Sequence, residues 1–181
     1  MVTLRGKNII LRSLEPADLE LLYQWENDTE NWFVSNTYTP YSRHALKELI
    51  ESARKDIYEN KQLRLMIDFV PGNDNEGLTV GAIDLFDFNP YHQRAGVGIL
   101  IANKEYREKG IATEALAILI KYAFKTLGLH QLYCSISTNN EASINLFKKT
   151  GFVLLREKKD WLKETQGWRG EYFFQLINPE Q

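Results

Sequence analysis

Residues 97–115 constrain the fold of this chain more than any other stretch. They begin as an apolar run typical of a strand, pass through a short charged turn, and continue with apolar residues at helical spacing. The pattern therefore predicts a strand, a turn and a helix. Gly110 and Ala112 leave the backbone of the turn uncovered where the helix begins, so several N–H groups can point at one incoming anion.

An oxyanion is the expected partner of this turn. A helix N-terminus carries about half a positive charge, which favours a phosphate or pyrophosphate there. Arg107 and Lys109 add positive charge, which Glu105 and Glu108 offset in part. The turn lacks the Lys-Ser/Thr ending of a Walker loop and the third glycine of a dinucleotide fingerprint. A plain polar turn capped by Gly110 is the simpler interpretation, and the motif alone leaves both open.

Composition narrows the class of protein. The 181 residues fit one domain, spanning 1–181, with a sizeable core. The formal net charge of −2 gives no electrostatic reason to expect nucleic acid as the main partner. The single cysteine, Cys134, excludes an intramolecular disulfide and indicates a reducing compartment. With only three histidines besides, no metal site is expected.

The chain shows no targeting signal of the usual kinds. Its first residues lack the apolar core of a signal peptide, and no stretch approaches the roughly 20 apolar residues that span a bilayer. We therefore expect a cytoplasmic protein without a membrane partner.

Periodicity and turn signals predict the remaining elements. Strands are expected at residues 8–13, 62–70, 79–88, 94–102, 131–137, 152–158 and 171–177. Helices are expected after Pro16, from Ser42 to about Tyr58, from the charged turn to Gly128, and from a capping box, which begins at Thr138 and includes Glu141, to Gly151. This order describes a mixed α+β fold, in which a sheet of about six to seven strands carries helices on both faces. Residues 27–41 are predicted to be a long loop, which is a candidate substrate-binding segment.

Two motifs resemble the hallmarks of the GCN5-related N-acetyltransferases (GNAT). The R-x-x-G-x-A run at residues 107–112 is similar to the Q/R-x-x-G-x-G/A turn that holds the pyrophosphate of acetyl-coenzyme A (acetyl-CoA) in that family. Residues 140–152 resemble the second hallmark, N-x-x-(A/S)-x-x-(L/I)-(Y/F)-x-K-x-G-F. Residues 11–19 and 81–95 are similar to the branch that contains spermidine N-acetyltransferases and ribosomal-protein N-terminal acetyltransferases.

The resemblance implies a fold, a cosubstrate and a reaction. The fold is a mostly antiparallel, splayed mixed sheet, the cosubstrate is acetyl-CoA, and the reaction is acetyl transfer to a primary amine by direct attack in a ternary complex. The residues expected to bind the cosubstrate are Ile99, Leu100, Ile101, Arg107, Glu108, Lys109, Gly110, Ile111, Ala112, Thr113, Asn140, Ser143 and Phe147.

Direct attack places two physical demands on the site. An alkyl amine with a pKa near about 10.4 is mostly protonated at pH 7, so a base or a chain of waters must accept a proton. The thioester carbonyl also needs a hydrogen-bond donor as charge builds on its oxygen. In GNAT enzymes a backbone N–H of the strand before the turn supplies that donor, which corresponds to residues 99–101 here.

The candidate bases lie on or after the preceding strand. Asp84 occupies the position of a strand carboxylate in spermidine acetyltransferases, and Asp87 is predicted to lie on the opposite face. The simpler alternative for Asp84 is a solvated or hydrogen-bonded strand residue. His92, in the next turn, is a second candidate, although loop histidines are more often surface residues. Gly96 stands where many relatives have a carboxylate, which favours a water relay over one dedicated base.

The leaving thiolate lacks the usual acid. Phe147 stands where many family members have a tyrosine, but a thiol of pKa about 8.5 leaves far more readily than an alkoxide. Ser143 matches a serine proposed to assist the thiolate in ribosomal N-terminal acetyltransferases, and Asn140 can also donate. Ser143 is equally compatible with a helix residue that bonds its own backbone. The expected catalytic residues are Asp84, Ser143 and Asn140.

The acceptor is less constrained. The residues expected to bind it are Trp32, Phe33, Tyr38, Asp84 and His92, because aromatic faces can hold a cation or a sugar, although these rings can equally roof the core. Polyamine enzymes carry an acidic pair after a similar aromatic stretch, whereas this chain has Val34 and Ser35. A polycationic acceptor therefore loses support, although a polyamine stays among the open acceptor classes with a protein N-terminus, an aminosugar and other small primary amines. A catalytically weak acetyl-CoA-binding or sensing module is the alternative function, and a homodimer is expected through edge strands.

Overall fold

We describe a computed structural model of the chain, covering residues 4–35, 37–72, 77–165 and 167–180, with the side chains of 33–35 left out of the description. Over these residues the structure has six α-helices and seven strands. The helices are α1 (Leu19–Glu26), α2 (Thr29–Ser35), α3 (Arg43–Ser52), α4 (Ile57–Asn60), α5 (Ile111–Lys125) and α6 (Glu141–Lys149). The strands are β1 (Ile9–Ser13), β2 (Leu63–Phe69), β3 (Leu78–Asn89), β4 (Arg94–Ile101), β5 (Gln131–Ser137), β6 (Val153–Glu164) and β7 (Gly167–Ile177). Short 3₁₀ turns lie at Pro16–Asp18 and Lys104–Tyr106.

All seven strands form one sheet in the order β1-β2-β3-β4-β5-β7-β6. Every neighbouring pair is antiparallel except β4 and β5, which run parallel and are connected through α5. That parallel pairing covers only Arg94 to Gly96 against Gln131 to Tyr133. The predicted mixed, mostly antiparallel sheet is confirmed, and its two middle strands separate after three residue pairs.

Each face of the sheet is covered by helices, because the strands alternate between two sets of buried side chains. On one face Leu116 and Leu119 of α5 are fully buried in a core that includes Val97 and Leu132. On the other face Met66 packs in a smaller core with residues of α1 and α3. The prediction of helices on both faces is confirmed. Among the described residues, no helix has the length and apolarity to cross a membrane.

Two helical predictions need correction. The segment predicted as a loop at 27–41 contains α2, and the Asp28 carboxylate accepts a hydrogen bond from the Glu30 N–H at 3.0 Å near its start. The helix predicted from Ser42 to Tyr58 begins as expected, with Ser42 as its N-cap, but α3 ends at Ser52. A new cap at Asp56 then starts α4. A capping side chain acts locally, so it can restart a helix inside one apolar stripe.

The last two strands are longer than predicted. The polar, tryptophan-containing segment between the two predicted strands, which the prediction leaves outside any strand, forms the outer part of the β6–β7 hairpin. Most of its side chains are exposed, so the two-residue alternation that signals a strand is missing. Backbone pairing and a cross-strand ion pair between Arg169 and Glu164 stabilise it instead.

A buried ion network joins the first strands to the 3₁₀ turn before α1. Arg12 donates to both carboxylate oxygens of Asp18 at 2.8 Å and to Asp68 at 2.7 Å. Asp18 is 5% exposed and also accepts from the Glu15 N–H. Burial raises the pKa of the Asp18 carboxyl, but the hydrogen bonds from Arg12 and Glu15 outweigh it and hold the pKa below its ordinary value.

We expect Asp18→Asn to reduce the free energy of unfolding at pH 7 by about 1–3 kcal/mol, since a buried charge-assisted contact to Arg12 is lost. A carboxyl with a lowered folded pKa stabilises the protein above its unfolded pKa of about 3.9, and this contribution disappears as pH falls through the folded value. The difference in unfolding free energy between wild type and variant should therefore disappear at acidic pH. Urea unfolding at a series of pH values measures it, with the exposed Glu48→Gln as control. A difference in unfolding free energy that does not change with pH would contradict the idea that the Asp18 charge stabilises the protein.

Candidate functional site

A cleft opens where β4 and β5 separate. Its wall is formed by both strands, by the start of α6, and by the β6–β7 hairpin. The lining residues are Val97, Gly98, Ile99, Cys134, Ser135, Ile136, Ser137, Asn140, Ser143, Phe147, Leu162 and Glu171. A separate concavity beside α1 and α3 shares no residue with this cleft.

The free edge of β4 presents backbone donors to the cleft. The Ala102 N–H donates to the Val80 carbonyl on the β3 side, and backbone direction alternates along a strand. The N–H and C=O groups of Ile99 and Ile101 therefore point toward β5. Arg107 Nε donates to the Ile101 carbonyl at 2.9 Å, which agrees with a carbonyl that points away from β3. Leu100, expected in the same cosubstrate-binding set, turns its N–H toward β3 instead.

The N-terminus of α5 follows β4 after nine residues, which include the 3₁₀ turn at Lys104–Tyr106. Gly110 is its N-cap, with φ 81° and ψ −5°, and the first backbone bond of the helix runs from the Glu114 N–H to the Gly110 carbonyl at 3.0 Å. The N–H groups of Ile111, Ala112 and Thr113 precede that bond and have no acceptor within the helix. A Cβ atom at residue 110 would meet nothing within 4 Å, so glycine is required by the left-handed backbone.

The charged residues of the turn are exposed. Arg107 folds back onto the β4 carbonyl described above, and Glu108 adopts φ 61°. Lys109 places its Nζ atom 4.9 Å from the Tyr106 ring centroid. Among the described residues, none accepts a hydrogen bond from the N–H groups of Ile111, Ala112 and Thr113.

The start of α6 forms the second side of the cleft. Asn140 is the N-cap, and its Oδ1 atom accepts from the Ser143 N–H at 3.1 Å, so its Nδ2 atom carries the donors that remain for a ligand. Phe147, one turn further, is 3% exposed and contacts Phe152 edge to face at 4.9 Å. The structure therefore brings four of the predicted cosubstrate-binding residues together in one cleft, namely Ile99, Asn140, Ser143 and Phe147.

Asp84 lies opposite Gly98, with its carboxylate 3.9 Å from the position of a Gly98 Cβ atom. It accepts two hydrogen bonds from Arg64, at 2.7 and 3.2 Å, and Arg64 also donates to Glu26 at 2.6 Å. Burial lowers the pKa of the Arg64 guanidinium, but the two carboxylates outweigh burial and raise it above its ordinary value. Asp84 is therefore a hydrogen-bonded member of an ion network beside the cleft.

The residues around Gly96 explain a departure from the family pattern. A Cβ atom at Gly96 would lie 2.3 Å from the Phe86 ring, so this ring occupies the space in which a side chain at Gly96 would lie. The prediction that Asp87 faces away from Asp84 is wrong. A bulge between Phe86 and Asn89 gives Asp87 φ 48°, and its carboxylate accepts from the Tyr133 hydroxyl, whose ring contacts Phe86. Burial, with help from Asp87, raises the pKa of Tyr133 to about 12.

The predicted acceptor-binding residues do not lie together in the structure. The Trp32 indole donates to the Glu26 carbonyl at 2.8 Å, which places α2 beside the Arg64 network. Tyr38 is 77% exposed, and the side chain of Phe33 lies outside the described residues. His92 lies in the turn before β4, at the end of that strand remote from Gly110, and does not line the cleft.

Several cleft residues escaped sequence analysis, among them Ser135, Leu162 and Glu171. Ser135 alternates with the buried Cys134 and Ile136, a pattern that marks one polar strand face. Burial raises the pKa of the Cys134 thiol, as suits a small core residue. Nothing in the sequence joins Glu171 to β5, 34 residues earlier at Ser137, because their pairing depends on strand register. The described residues include no group of three or more His, Cys, Asp or Glu placed to hold a metal ion.

Comparison with known proteins identifies the family. Residues 8–153 match the model of the acetyltransferase (GNAT) domain. The chain is 31% identical over 148 residues to the spermidine N(1)-acetyltransferase of Escherichia coli K12, covering 80% of this chain and 73% of that protein. It is 26% identical over 157 residues to an N-acetyltransferase 9-like protein of Caenorhabditis briggsae, covering 83% and 77% of the two chains.

A solved structure has the same fold. The crystal structure of spermidine N-acetyltransferase from Vibrio cholerae, in complex with CoA and spermine, superposes with a TM-score of 0.83 at 22% identity, and covers 95% of this chain and 96% of that one. The family-model match spans most of the chain and includes both the α5 turn and the start of α6. The chain therefore belongs to the GNAT family of acetyl-CoA-dependent N-acetyltransferases.

Proposed function

We propose that the cleft between β4 and β5 transfers the acetyl group of acetyl-CoA to an aliphatic primary amine, with polyamines the first class of acceptor to test. The proposal rests on one arrangement: an open strand edge with backbone donors leads, through a short connection, to a helix N-terminus whose first three N–H groups have no acceptor within the helix. These two features suit the two ends of the pantetheine-pyrophosphate arm. We propose the cytoplasm as the location, because a lone cysteine suits a reducing compartment.

The α5 terminus is proposed to bind the pyrophosphate. The N–H groups of Ile111, Ala112 and Thr113 supply donors, and Lys109 supplies positive charge beside them. Arg107 contributes by holding the turn against β4 through its bond to Ile101, and Glu108 contributes its left-handed backbone.

The free edge of β4 is proposed to bind the amide of pantetheine and the thioester carbonyl. When the amine nitrogen attacks, a C–N bond forms, the C–S bond breaks, and negative charge develops first on the carbonyl oxygen. A backbone N–H of Ile99 or Ile101 points into the cleft and can stabilise that charge. Leu100 is left with a packing role, because its N–H faces β3.

The thiolate is proposed to leave toward α6. The Ser143 hydroxyl and the Asn140 Nδ2 atom are the donors at this wall of the cleft, and Phe147 forms its apolar floor. Hydrogen bonds to the thiolate suffice here, since a thiol of pKa about 8.5 is a good leaving group at neutral pH.

The proton of the amine is proposed to leave through water. Both oxygens of Asp84 accept from Arg64, so the carboxylate is better placed to orient the acceptor than to accept its proton. Trp32 stands next to this network through Glu26 and is proposed as an acceptor contact. The aliphatic amine is favoured because the Escherichia coli relative is named for spermidine.

We expect Gly110→Glu to weaken acetyl-CoA binding at least tenfold, roughly one 1.4 kcal/mol step, because a carboxylate would stand at the helix terminus. Gly72→Glu is the matched control, since Gly72 has φ 80° and an equally open Cβ position, away from the cleft. It carries the same backbone strain and charge but should leave binding unchanged. Calorimetric titration measures both. Equal losses in the two variants would contradict a pyrophosphate site at α5.

We expect the wild-type enzyme to release thiol from acetyl-CoA faster with spermidine or spermine than with glucosamine or a peptide N-terminus. The difference in kcat/KM should be at least about tenfold, because unpaired polar groups of a wrong acceptor are costly to bury. A colorimetric thiol assay measures it, with Gly110→Glu as the negative control. A higher kcat/KM for the aminosugar or the peptide would reassign the acceptor class.

We also propose that the enzyme forms a homodimer through β6. This strand is the last in the sheet order, and it exposes Val153 and Leu155 at 61% and 52%. Unpaired edges with apolar side chains favour association with another chain. A related enzyme, the spermidine N-acetyltransferase of Vibrio cholerae, has a dodecameric structure.

We expect Leu155→Lys to convert the dimer to a monomer at micromolar concentration, because a charged side chain would be buried at the edge. Leu78→Lys is the matched control, as Leu78 is 50% exposed at the start of the interior strand β3. Light scattering after size exclusion gives both masses. A monomeric wild type, or a dimer that survives Leu155→Lys, would rule out this interface.

A further inference from the structure

Beside the cleft, the ammonium group of one lysine lies in a cage made of a carboxylate, a hydroxyl and two aromatic rings. Lys158 Nζ donates to the Glu171 carboxylate at 2.8 Å and to the Ser135 hydroxyl at 3.2 Å. The same atom lies 4.8 Å from the ring centroid of Trp161 and 5.7 Å from that of Phe173. A carboxylate, a hydroxyl and two aromatic faces are the groups that recognise a primary ammonium ion.

The cage shares two of its residues with the lining of the cleft. Ser135 and Glu171 line it together with Gly98 and Ser143. Strand register puts Ser137, Glu171 and Lys158 in one row across β5, β7 and β6. These polar side chains alternate with the core residues of β5 and β7, so they lie on the sheet face opposite α5.

The carboxylate is the fixed part of the cage and the lysine is the movable part. The Glu171 side chain is 7% exposed, whereas that of Lys158 is 27% exposed. A buried carboxylate needs a cation partner, while a lysine stem can rotate its ammonium into water at low cost. The β6–β7 register also shifts between Lys158 and Leu162, so the hairpin bends next to the lysine. Any other primary ammonium that enters the cleft can therefore take the place of Lys158.

We propose that Glu171, Ser135, Trp161 and Phe173 form the subsite for a primary ammonium group of the acceptor, and that Lys158 fills this subsite until the acceptor displaces it. The inference rests on the proposed function, since it assigns the acceptor side of the same cleft. It makes Glu171 a substrate-binding residue and Lys158 an internal competitor of the acceptor. Uncharged nucleophiles would gain nothing from the cage.

The first experiment measures occupancy without catalysis. In Lys158→Ala the cage is vacated, and n-butylammonium should raise the Tm with saturation at about millimolar concentration, as expected for so small a ligand. n-Butanol, which has the same stem without the charge, should give no shift. Lys159→Ala, a change at the adjacent exposed lysine, should respond to neither compound. The double variant Lys158→Ala, Glu171→Gln should lose the response.

The second experiment measures the acceptor kinetics. Glu171→Gln should raise KM for the amine at least about tenfold, because a charge-assisted hydrogen bond is lost. Lys158→Ala should lower KM with little change in kcat, since the internal competitor is gone. A purely structural ion pair would instead lower stability in both variants without shifting KM in opposite directions. Lys158→Met, which keeps the apolar stem, replaces Lys158→Ala if the latter does not fold.

Two results would overturn the inference. One is a folded Lys158 variant whose Tm does not change with n-butylammonium, and the other is a Tm shift that persists in the double variant. Failure of the proposed function gives a different result. Thiol release would then be absent with every amine, whereas the n-butylammonium shift would still be present in Lys158→Ala. In that case the cage stands as an ammonium site and the acceptor assignment falls.

Discussion

The short parallel pairing of β4 and β5 is the constraint on which the rest of the structure depends. It ends at Gly96 and Tyr133, so the remainder of β4 has a strand on one side only. Backbone groups in a sheet interior need partners, and here a ligand or water must supply them. The opening therefore places donors in the middle of the sheet, next to the N-termini of α5 and α6. The donors available to a ligand are therefore those that β4 leaves unpaired where it separates from β5.

The two faces of the sheet differ in polarity around the opening between β4 and β5. The face toward α5 is apolar and holds the strands in place. The other face carries carboxylates, and those beside the cleft are paired with cations. Asp84 shares Arg64 with Glu26, which makes this pair rigid, whereas Glu171 is the one described carboxylate that pairs with Lys158. A bidentate, doubly paired arginine keeps its position, and a singly paired lysine on a flexible stem can leave.

Departures from the family pattern have packing explanations. Phe86 covers Gly96, so the space of a strand carboxylate is filled by an aromatic ring. Phe147 contacts Phe152 in the floor of the cleft, where a hydroxyl would need a buried partner. Both changes replace a polar group by apolar contact. They fit a reaction in which water carries the proton and hydrogen bonds alone support a good leaving group.

The sequence alone determined the local features of this protein. The strand-turn-helix at β4 and α5 and the cap at Ser42 depend on residues a few positions apart, and the family motifs are built from such runs. The cap of α6 is Asn140, two residues after the predicted Thr138. Only the tertiary structure decided which side chains meet. Arg64 binds Asp84, and Glu171 reaches the cleft, because strand register joins segments distant in sequence. Bulges also move Asp87 off its expected face, since local backbone twist overrides simple alternation.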